Sequence, residues 1–143
     1  MKIDQNIIDK LYNLAKEAFE DGEIPISAVI LNNNNEIIAF ERNKRQKNYD
    51  ILGHAEILCV QKAEKEIKDW RLDGYKMIVT LEPCDMCSMI IKKSRLDEIY
   101  YILESDSYEC TNDFEINKKK LEIDKISEEK FRKLLTDFFD NKR

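Results

Sequence analysis

The stretch "KMIVTLEPCDMC", residues 76–87, decides which fold the chain adopts. Its first half is a short aliphatic and β-branched run, which is typical of a buried strand. Pro83 ends that run, and Cys84 and Cys87 follow it at the start of a predicted helix. Proline suits a helix entry because its missing N–H would have no intrahelical partner there. A buried strand that leads directly into a helix indicates an α/β protein.

The residues before this stretch predict two more helices and a hairpin. Asp4 is a candidate N-cap for a helix that runs to about Glu20, because apolar residues recur on one face of it. "ISAVIL" (26–31) and "EIIAF" (36–40) predict strands joined at "NNNN", because asparagine tolerates the positive φ of a hairpin turn. Residues 41–53 are expected to form a loop, and residues 54–68 a helix.

The residues after this stretch predict two further strands and a last helix. "EIYYIL" (98–103) is the first strand, residues 104–120 are polar and irregular, and "LEIDKI" (121–126) is a short final strand. Ser127 is the candidate cap of the last helix. That helix carries an apolar stripe expected to lie in the core or a subunit interface: Phe131, Leu134, Leu135, Phe138 and Phe139.

The whole chain of 143 residues is expected to form one domain, since it has no repeats and no Pro/Gly-rich linker. Alternating strands and helices predict a three-layer α/β/α arrangement with helices on both faces of a mixed sheet. The chain lacks both an apolar run of about 20 residues and a secretory signal, so we expect a cytoplasmic protein that does not contact membranes. The net charge of −5 argues against non-specific binding to nucleic acid.

Four cysteines in a reducing compartment indicate metal binding or burial rather than disulfides. Cys84 and Cys87 share a helix face, and a helix N-terminus favours the thiolate that binds metal. A redox pair of the thioredoxin type is the alternative, although its usual W-C-x-x-C context is missing. Cys59 lies about 140° around the helix axis from His54 and is expected to be a buried hydrophobe. Cys110 stays open as a further ligand.

His54, the only histidine, completes a set of one imidazole and two thiolates. Three protein ligands with a fourth position open to water is the pattern of catalytic zinc, which lowers the pKa of that water to about 7. Glu56 is two residues beyond His54 and is placed to move the water proton. The combination H-x-E followed by P-C-x-x-C is the known signature of zinc nucleobase deaminases.

Five segments together make the chain resemble the bacterial tRNA-specific adenosine deaminases, a branch of the cytidine/deoxycytidylate deaminase-like zinc enzymes. The segments are "EIPISAVIL" (23–31), "HAEI" (54–57), "VTLEPCDMC" (79–87), "KSRLDEIYY" (93–101) and "LLTDFFDNKR" (134–143). The resemblance implies a five-stranded mixed sheet with flanking helices and one zinc ion per subunit.

The same resemblance implies a function and a set of site residues. The function is hydrolytic conversion of adenosine to inosine at the wobble position of a tRNA anticodon stem-loop, by a homodimer with active sites near its interface. His54, Cys84 and Cys87 would hold the zinc, and Glu56 would be catalytic. Asn43 would bind the flipped nucleoside, and the Ala55 backbone amide would help to position the base.

The chain departs from this family in ways that keep other functions open. Ser27 replaces a usual glycine, and residues 104–117 are acidic where the family carries an RNA-binding loop. Two basic runs, residues 42–47 and 92–95, are expected to frame the mouth of the pocket or to be solvated surface. The alternatives are a deaminase of a free base or nucleoside, of guanine or cytosine type, and a non-catalytic zinc module with Cys110 as the fourth ligand.

Overall fold

The computed structural model describes residues 3–111 and 116–141, which form five helices and five strands. The helices are α1 (Gln5–Glu20), α2 (Arg45–Asn48), α3 (Ala55–Ile67), α4 (Asp85–Ser94) and α5 (Lys125–Asp140). The strands are β1 (Ser27–Leu31), β2 (Ile37–Arg42), β3 (Lys76–Leu81), β4 (Glu98–Leu103) and β5 (Lys118–Lys120). This part of the chain contains no helix with the length and apolar character that a bilayer-spanning segment requires.

The strands form one mixed sheet in the order β2-β1-β3-β4-β5, so the predicted five-stranded sheet is confirmed. β1 pairs antiparallel with both β2 and β3, whereas β3, β4 and β5 run parallel. β3 and β4 are joined through α4, as parallel neighbours require a crossover. Residues 76–87 therefore contain the strand β3 and the start of the helix α4 in this crossover unit.

Helices cover both faces of the sheet, which confirms the three-layer arrangement. Successive strand residues point to opposite faces: Ala28 and Ile30 pack in the cluster that includes α3 and α4, and Val29 and Leu31 in the cluster that includes α1 and α5. α1 begins as predicted, because the Asp4 side chain accepts a hydrogen bond from the Asn6 N–H at 2.9 Å.

Two predictions for the last third of the chain are wrong. The final strand is Lys118–Lys120 rather than residues 121–126, from which Leu121 and Ile123 still contribute to the core on the α1 and α5 face. The cap of α5 is Asp124, whose carboxylate accepts from the Ser127 N–H at 2.9 Å, so Ser127 is the capped residue rather than the cap. In addition, the predicted loop 41–53 contains the one-turn helix α2.

Candidate metal centre and active site

Two helix N-termini bring together the three candidate metal ligands. His54 is the N-cap residue of α3, Cys84 is the N-cap residue of α4, and Cys87 lies in the first turn of α4. The His54 Nδ1 atom is 3.5 Å from the Cys87 Sγ and 4.0 Å from the Cys84 Sγ. The three ligand atoms all lie within 4.8 Å of one another, so they could hold one metal ion.

The electrostatics of this cluster favour a thiolate. A hydrogen bond from the Cys87 thiol lowers the pKa of Cys84 to about 4, with a further contribution from His54, so Cys84 is ionised at neutral pH. The same hydrogen bond raises the pKa of Cys87, and burial raises it further. The contact with Cys84 raises the pKa of His54. Metal ligands bind deprotonated, so a cation entering this cluster would displace protons from Cys87 and His54.

Glu56 lies beside these ligands as a buried carboxyl group. Its residue is 4% exposed, and among the described residues no group donates a hydrogen bond to its Oε1 atom. Burial raises the pKa of Glu56 to about 7. A buried carboxylate oxygen without a donor is costly, and a cation with a bound solvent molecule would supply a partner for it. One nitrogen and two sulfurs suit zinc, so the residues present fit this metal.

His54, Cys84 and Glu56 line a cavity of about 320 Å³. One part of the cavity wall comes from the segments around Ile24, Asn43 and Arg45. Another part comes from Glu82 and residues 105–110, of which Ser105, Ser107, Tyr108, Glu109 and Cys110 line the space. Phe139, near the end of α5, also lines it. The cavity therefore draws on segments from most of the chain.

The structure brings Asn43 into the same cavity and fixes it firmly. Asn43 is 2% exposed; its N–H donates to the Ile26 carbonyl at 3.0 Å, and its carbonyl accepts from Arg42 at 3.2 Å. Its side-chain Oδ1 accepts from the Ala55 N–H at 2.8 Å. The Ala55 amide is thus engaged with Asn43, and the Nδ2 amide group is what Asn43 offers to the cavity.

Other candidates from the sequence lie apart from the metal cluster. Cys59 is fully buried, and its thiol lies 3.7 Å from the Ala28 carbonyl, as expected of a buried hydrophobe. Cys110 lines the cavity but is not part of the His/Cys/Cys group, so the structure does not make it the fourth ligand. Among the described residues, none of the four cysteines forms a disulfide.

The expectation that both basic runs frame the cavity mouth is wrong for the second run. Lys92 and Lys93 lie in the last turn of α4 and Arg95 caps it, whereas Cys84 lies at the opposite end of this helix. These residues are 8 to 11 positions beyond Cys84, which places them about 12–17 Å from it along the helix axis. From the first run, Asn43 and Arg45 line the cavity.

Sequence reasoning missed two acidic residues that hold the 105–111 wall. Glu82 accepts from the Ser105 N–H at 3.1 Å and forms a 2.6 Å salt bridge with Lys118. Asp85 accepts from the Thr111 N–H at 3.0 Å and from the Thr111 hydroxyl at 2.7 Å. The only signal in the sequence is the position of these two carboxylates on either side of the Pro-Cys pair.

This fold and a His/Cys/Cys group that could hold a metal ion, with Glu56 beside it, are those of a deaminase. The sequence profile of the MafB19-like deaminases matches residues 3–143, and the chain belongs to that family. Over 87 residues the chain is 42% identical to the tRNA-specific adenosine deaminase of Bacillus subtilis (strain 168), covering 61% of this chain and 53% of that protein. It is 36% identical over 137 residues to the tRNA-specific adenosine deaminase of Buchnera aphidicola subsp. Baizongia pistaciae, covering 91% of this chain and 84% of that protein. For several relatives the matched part is thus little more than half of their length, 53% and 57% in two of them.

Solved structures show the same fold. One, from a study of A-to-I editing by tRNA:A34 deaminases, superposes with a TM-score of 0.80 at 24% identity and covers 92% of this chain and all of that one (100%). A guanine deaminase from Bacillus subtilis superposes with a TM-score of 0.66 at 29% identity, covering 72% of this chain and 66% of that one.

Proposed function

We propose that this protein is a zinc-dependent hydrolase that deaminates adenosine to inosine at the wobble position of tRNA, as a single deaminase domain spanning residues 1–143. The observation that carries the proposal is the convergence of His54, Cys84 and Cys87 within 4.8 Å beside Glu56, whose Oε1 atom has no hydrogen-bond partner among the described residues. His54, Cys84 and Glu56 line one cavity. One zinc ion per subunit would be held by His54, Cys84 and Cys87.

The reaction adds water at C6 of adenine and releases ammonia, so protons must move from the water to the departing nitrogen. Zinc, when bound, supplies the Lewis acidity that makes water a nucleophile near neutral pH. Glu56 is the group that accepts a proton from the water and delivers it to the amino group. Its position inside the cavity wall keeps bulk solvent away from this transfer.

Asn43 and Ala55 act together in substrate binding. The Nδ2 group of Asn43 donates a hydrogen bond to the flipped nucleoside, because its Oδ1 atom is already engaged with the Ala55 N–H. Ala55 therefore contributes chiefly by orienting Asn43. Phe139 offers an aromatic ring at the cavity, and it is 54% exposed.

Relatives of this chain support an RNA substrate, since those most fully covered are tRNA-specific adenosine deaminases. Arg45 is a cation among the lining residues and suits an approaching phosphate. A homodimer is supported by exposed apolar side chains just before His54: Tyr49, Ile51 and Leu52 are 98%, 72% and 43% exposed. A tRNA substrate supports a cytoplasmic location.

A second candidate function is deamination of a free base, with guanine as the test substrate. Two observations favour it: the 29% identity to a guanine deaminase and the carboxylates of Glu82 and Glu109 along the cavity wall. Carboxylates repel the phosphates of RNA but accept hydrogen bonds from the N1–H and amino groups of guanine.

The test measures zinc and two activities on one preparation. We expect one zinc per chain and inosine in an anticodon stem-loop with a wobble adenosine, read as guanosine after reverse transcription. Glu56→Gln should retain zinc and lose at least about a hundredfold in rate, the usual range for a lost general acid–base. Glu64→Gln, on the same helix but outside the cavity, is the matched control. Ammonia release from guanine without RNA editing would establish the second candidate instead, and absence of bound zinc would refute both.

A further inference from the structure

Glu23 is a buried carboxylate that the proposed chemistry does not use. It lies between α1 and β1, is 2% exposed, and its backbone N–H donates to the Ala18 carbonyl at 2.9 Å. The salt bridges among the described residues do not include Glu23. Burying a carboxylate is costly unless hydrogen bonds compensate for the lost hydration, so its partners indicate what it is for.

Both carboxylate oxygens of Glu23 accept hydrogen bonds from α2. The Oε1 atom accepts from the Gln46 N–H at 3.1 Å, and the Oε2 atom accepts from the Lys47 N–H at 2.8 Å. These residues are the second and third of α2, the positions whose N–H groups an N-cap side chain normally serves. The actual N-cap residue, Lys44, makes no side-chain capping bond. Glu23 therefore caps α2 from more than twenty residues away in sequence.

The turn that Glu23 holds belongs to the wall of the active-site cavity. Asn43 precedes α2 and Arg45 is its first residue, and both line the cavity. A backbone hydrogen bond also joins the start of this turn to the residue before His54, because the Lys44 N–H donates to the Gly53 carbonyl at 2.8 Å. A Cβ at Gly53 would lie only 2.8 Å from the backbone of Arg45, so the chain at Gly53 is in contact with the chain at Arg45.

We propose that Glu23 is a positioning residue for substrate binding: its carboxylate holds the Arg45–Asn48 turn, which presents Asn43 and Arg45 to the substrate. The proposal rests on the proposed function for its substrate, but the capping itself does not. The candidate metal ligands depend on α3 and α4 instead, and the N–H of Ala55, next to His54, donates its own hydrogen bond to the Asn43 Oδ1 atom. Loss of the cap should therefore affect substrate binding and leave zinc binding intact.

The experiment compares Glu23→Ala with wild type in zinc content, amide exchange and kinetics on the wobble-adenosine stem-loop. We expect one zinc per chain in both proteins and faster hydrogen exchange at Gln46 and Lys47 only in the variant. The KM should rise by about tenfold or more, because a small displacement of positioning groups has effects of that size, with a smaller change in kcat. Glu23→Gln keeps one acceptor oxygen, so its exchange rates and KM should lie between those of wild type and Glu23→Ala. It also takes the place of Glu23→Ala in these measurements if that variant fails to fold.

A second substitution separates capping from general packing. In the Glu23→Ala background, Lys44→Ser supplies a local N-cap and should restore slow exchange and most of the KM. Lys44→Ala loses the same ion pair with Glu41 and should restore neither. A KM within about twofold of wild type despite faster exchange, below the effect expected of a positioning residue, would overturn the proposal; so would unchanged exchange. If wild type itself edits no RNA, the proposed function fails, while the exchange data still decide whether Glu23 caps α2.

Discussion

Replacing Asn43 with alanine tests whether one side chain supports both the fold and the substrate site. The substitution removes the Oδ1 atom that accepts from the Ala55 N–H at 2.8 Å. Ala55 is 0% exposed, so water cannot replace the lost partner. A buried donor left without an acceptor costs about 1–3 kcal/mol, and a chain of this size loses about 2–4 °C in melting temperature per kcal/mol. We expect Asn43→Ala to melt about 2–12 °C below wild type.

Asn43→Asp separates the two roles of this side chain. Aspartate keeps an acceptor oxygen for the Ala55 N–H but lacks the amide donor that Asn43 offers to the cavity. We therefore expect it to melt closer to wild type than Asn43→Ala does, while both variants raise the KM for the stem-loop RNA. Asn33→Ala, at an exposed position in the β1–β2 turn, is the control for a lost asparagine.

Thermal unfolding followed by circular dichroism and steady-state deamination are the two assays. A melting temperature for Asn43→Ala within about 1 °C of wild type would refute the argument that the hydrogen bond to Ala55 stabilises the start of α3. An unchanged KM in Asn43→Asp would refute the role of the amide donor in substrate binding.

Three further outcomes follow from other parts of the structure. Cys87→Ser should leave the protein with less than one zinc per chain after dialysis against a chelator, because it replaces a thiolate ligand within the 4.8 Å cluster; full occupancy would remove Cys87 from the site. Ser27→Ala should lower the free energy of unfolding by about 0.5–1.5 kcal/mol in urea titrations, since the buried hydroxyl donates to the Leu11 carbonyl at 2.6 Å. Glu41 is buried, which opposes ionisation, but hydrogen bonds from Lys44, the Arg42 N–H and Lys62 outweigh this and hold its pKa below the usual 4.5. The ionised Glu41 carboxylate therefore stabilises the fold fully above pH 4.5, and this stabilisation is lost as the pH falls through the lower pKa of the folded state. Glu41→Gln should thus destabilise the protein at pH 7 and much less in acid. An equal loss of stability at both pH values would contradict this.

The central part of the fold could be predicted because local signals and packing agree there. β3 has a compact apolar run, and the α4 start has proline and two cysteines, so the same residues specify strand, turn and ligand set. At the β5 edge of the sheet, local sequence signals and packing do not agree in this way. β5 consists of Lys118, Lys119 and Lys120, which carry no apolar pattern and pair only because β4 offers an edge. The apolar residues Leu121 and Ile123 that suggested a strand pack in the core just beyond β5, and the Leu121 N–H donates to the Tyr101 carbonyl of β4 at 2.7 Å.

Within the site, the sequence could predict that His54, Cys84 and Cys87 lie together, as the structure shows, but it could not predict the rest of the cavity lining. His54, Cys84 and Cys87 follow a spacing that chemistry restricts. The helix α2 has no local cap, and its N–H groups depend on Glu23, a contact that the sequence does not reveal. The predicted position of Lys92 and Lys93 was wrong for a simpler reason. These residues are close to Cys87 in sequence, but they lie farther along α4, and the length of this helix carries them away from the cavity.

The candidate metal ligands and the rest of the cavity lining are held in place by different kinds of structure, and this has an evolutionary consequence. The candidate metal ligands lie at the N-termini of helices packed on the sheet, whereas the segments around them are held by hydrogen bonds from single side chains such as Glu23, Asn43, Glu82 and Asp85. Substitutions at these single side chains can therefore reshape the cavity without altering the helices that carry the candidate ligands. Solved structures described as a tRNA:A34 deaminase and a guanine deaminase share this fold, as expected if selection has changed the residues that line the cavity and kept the helices and the sheet.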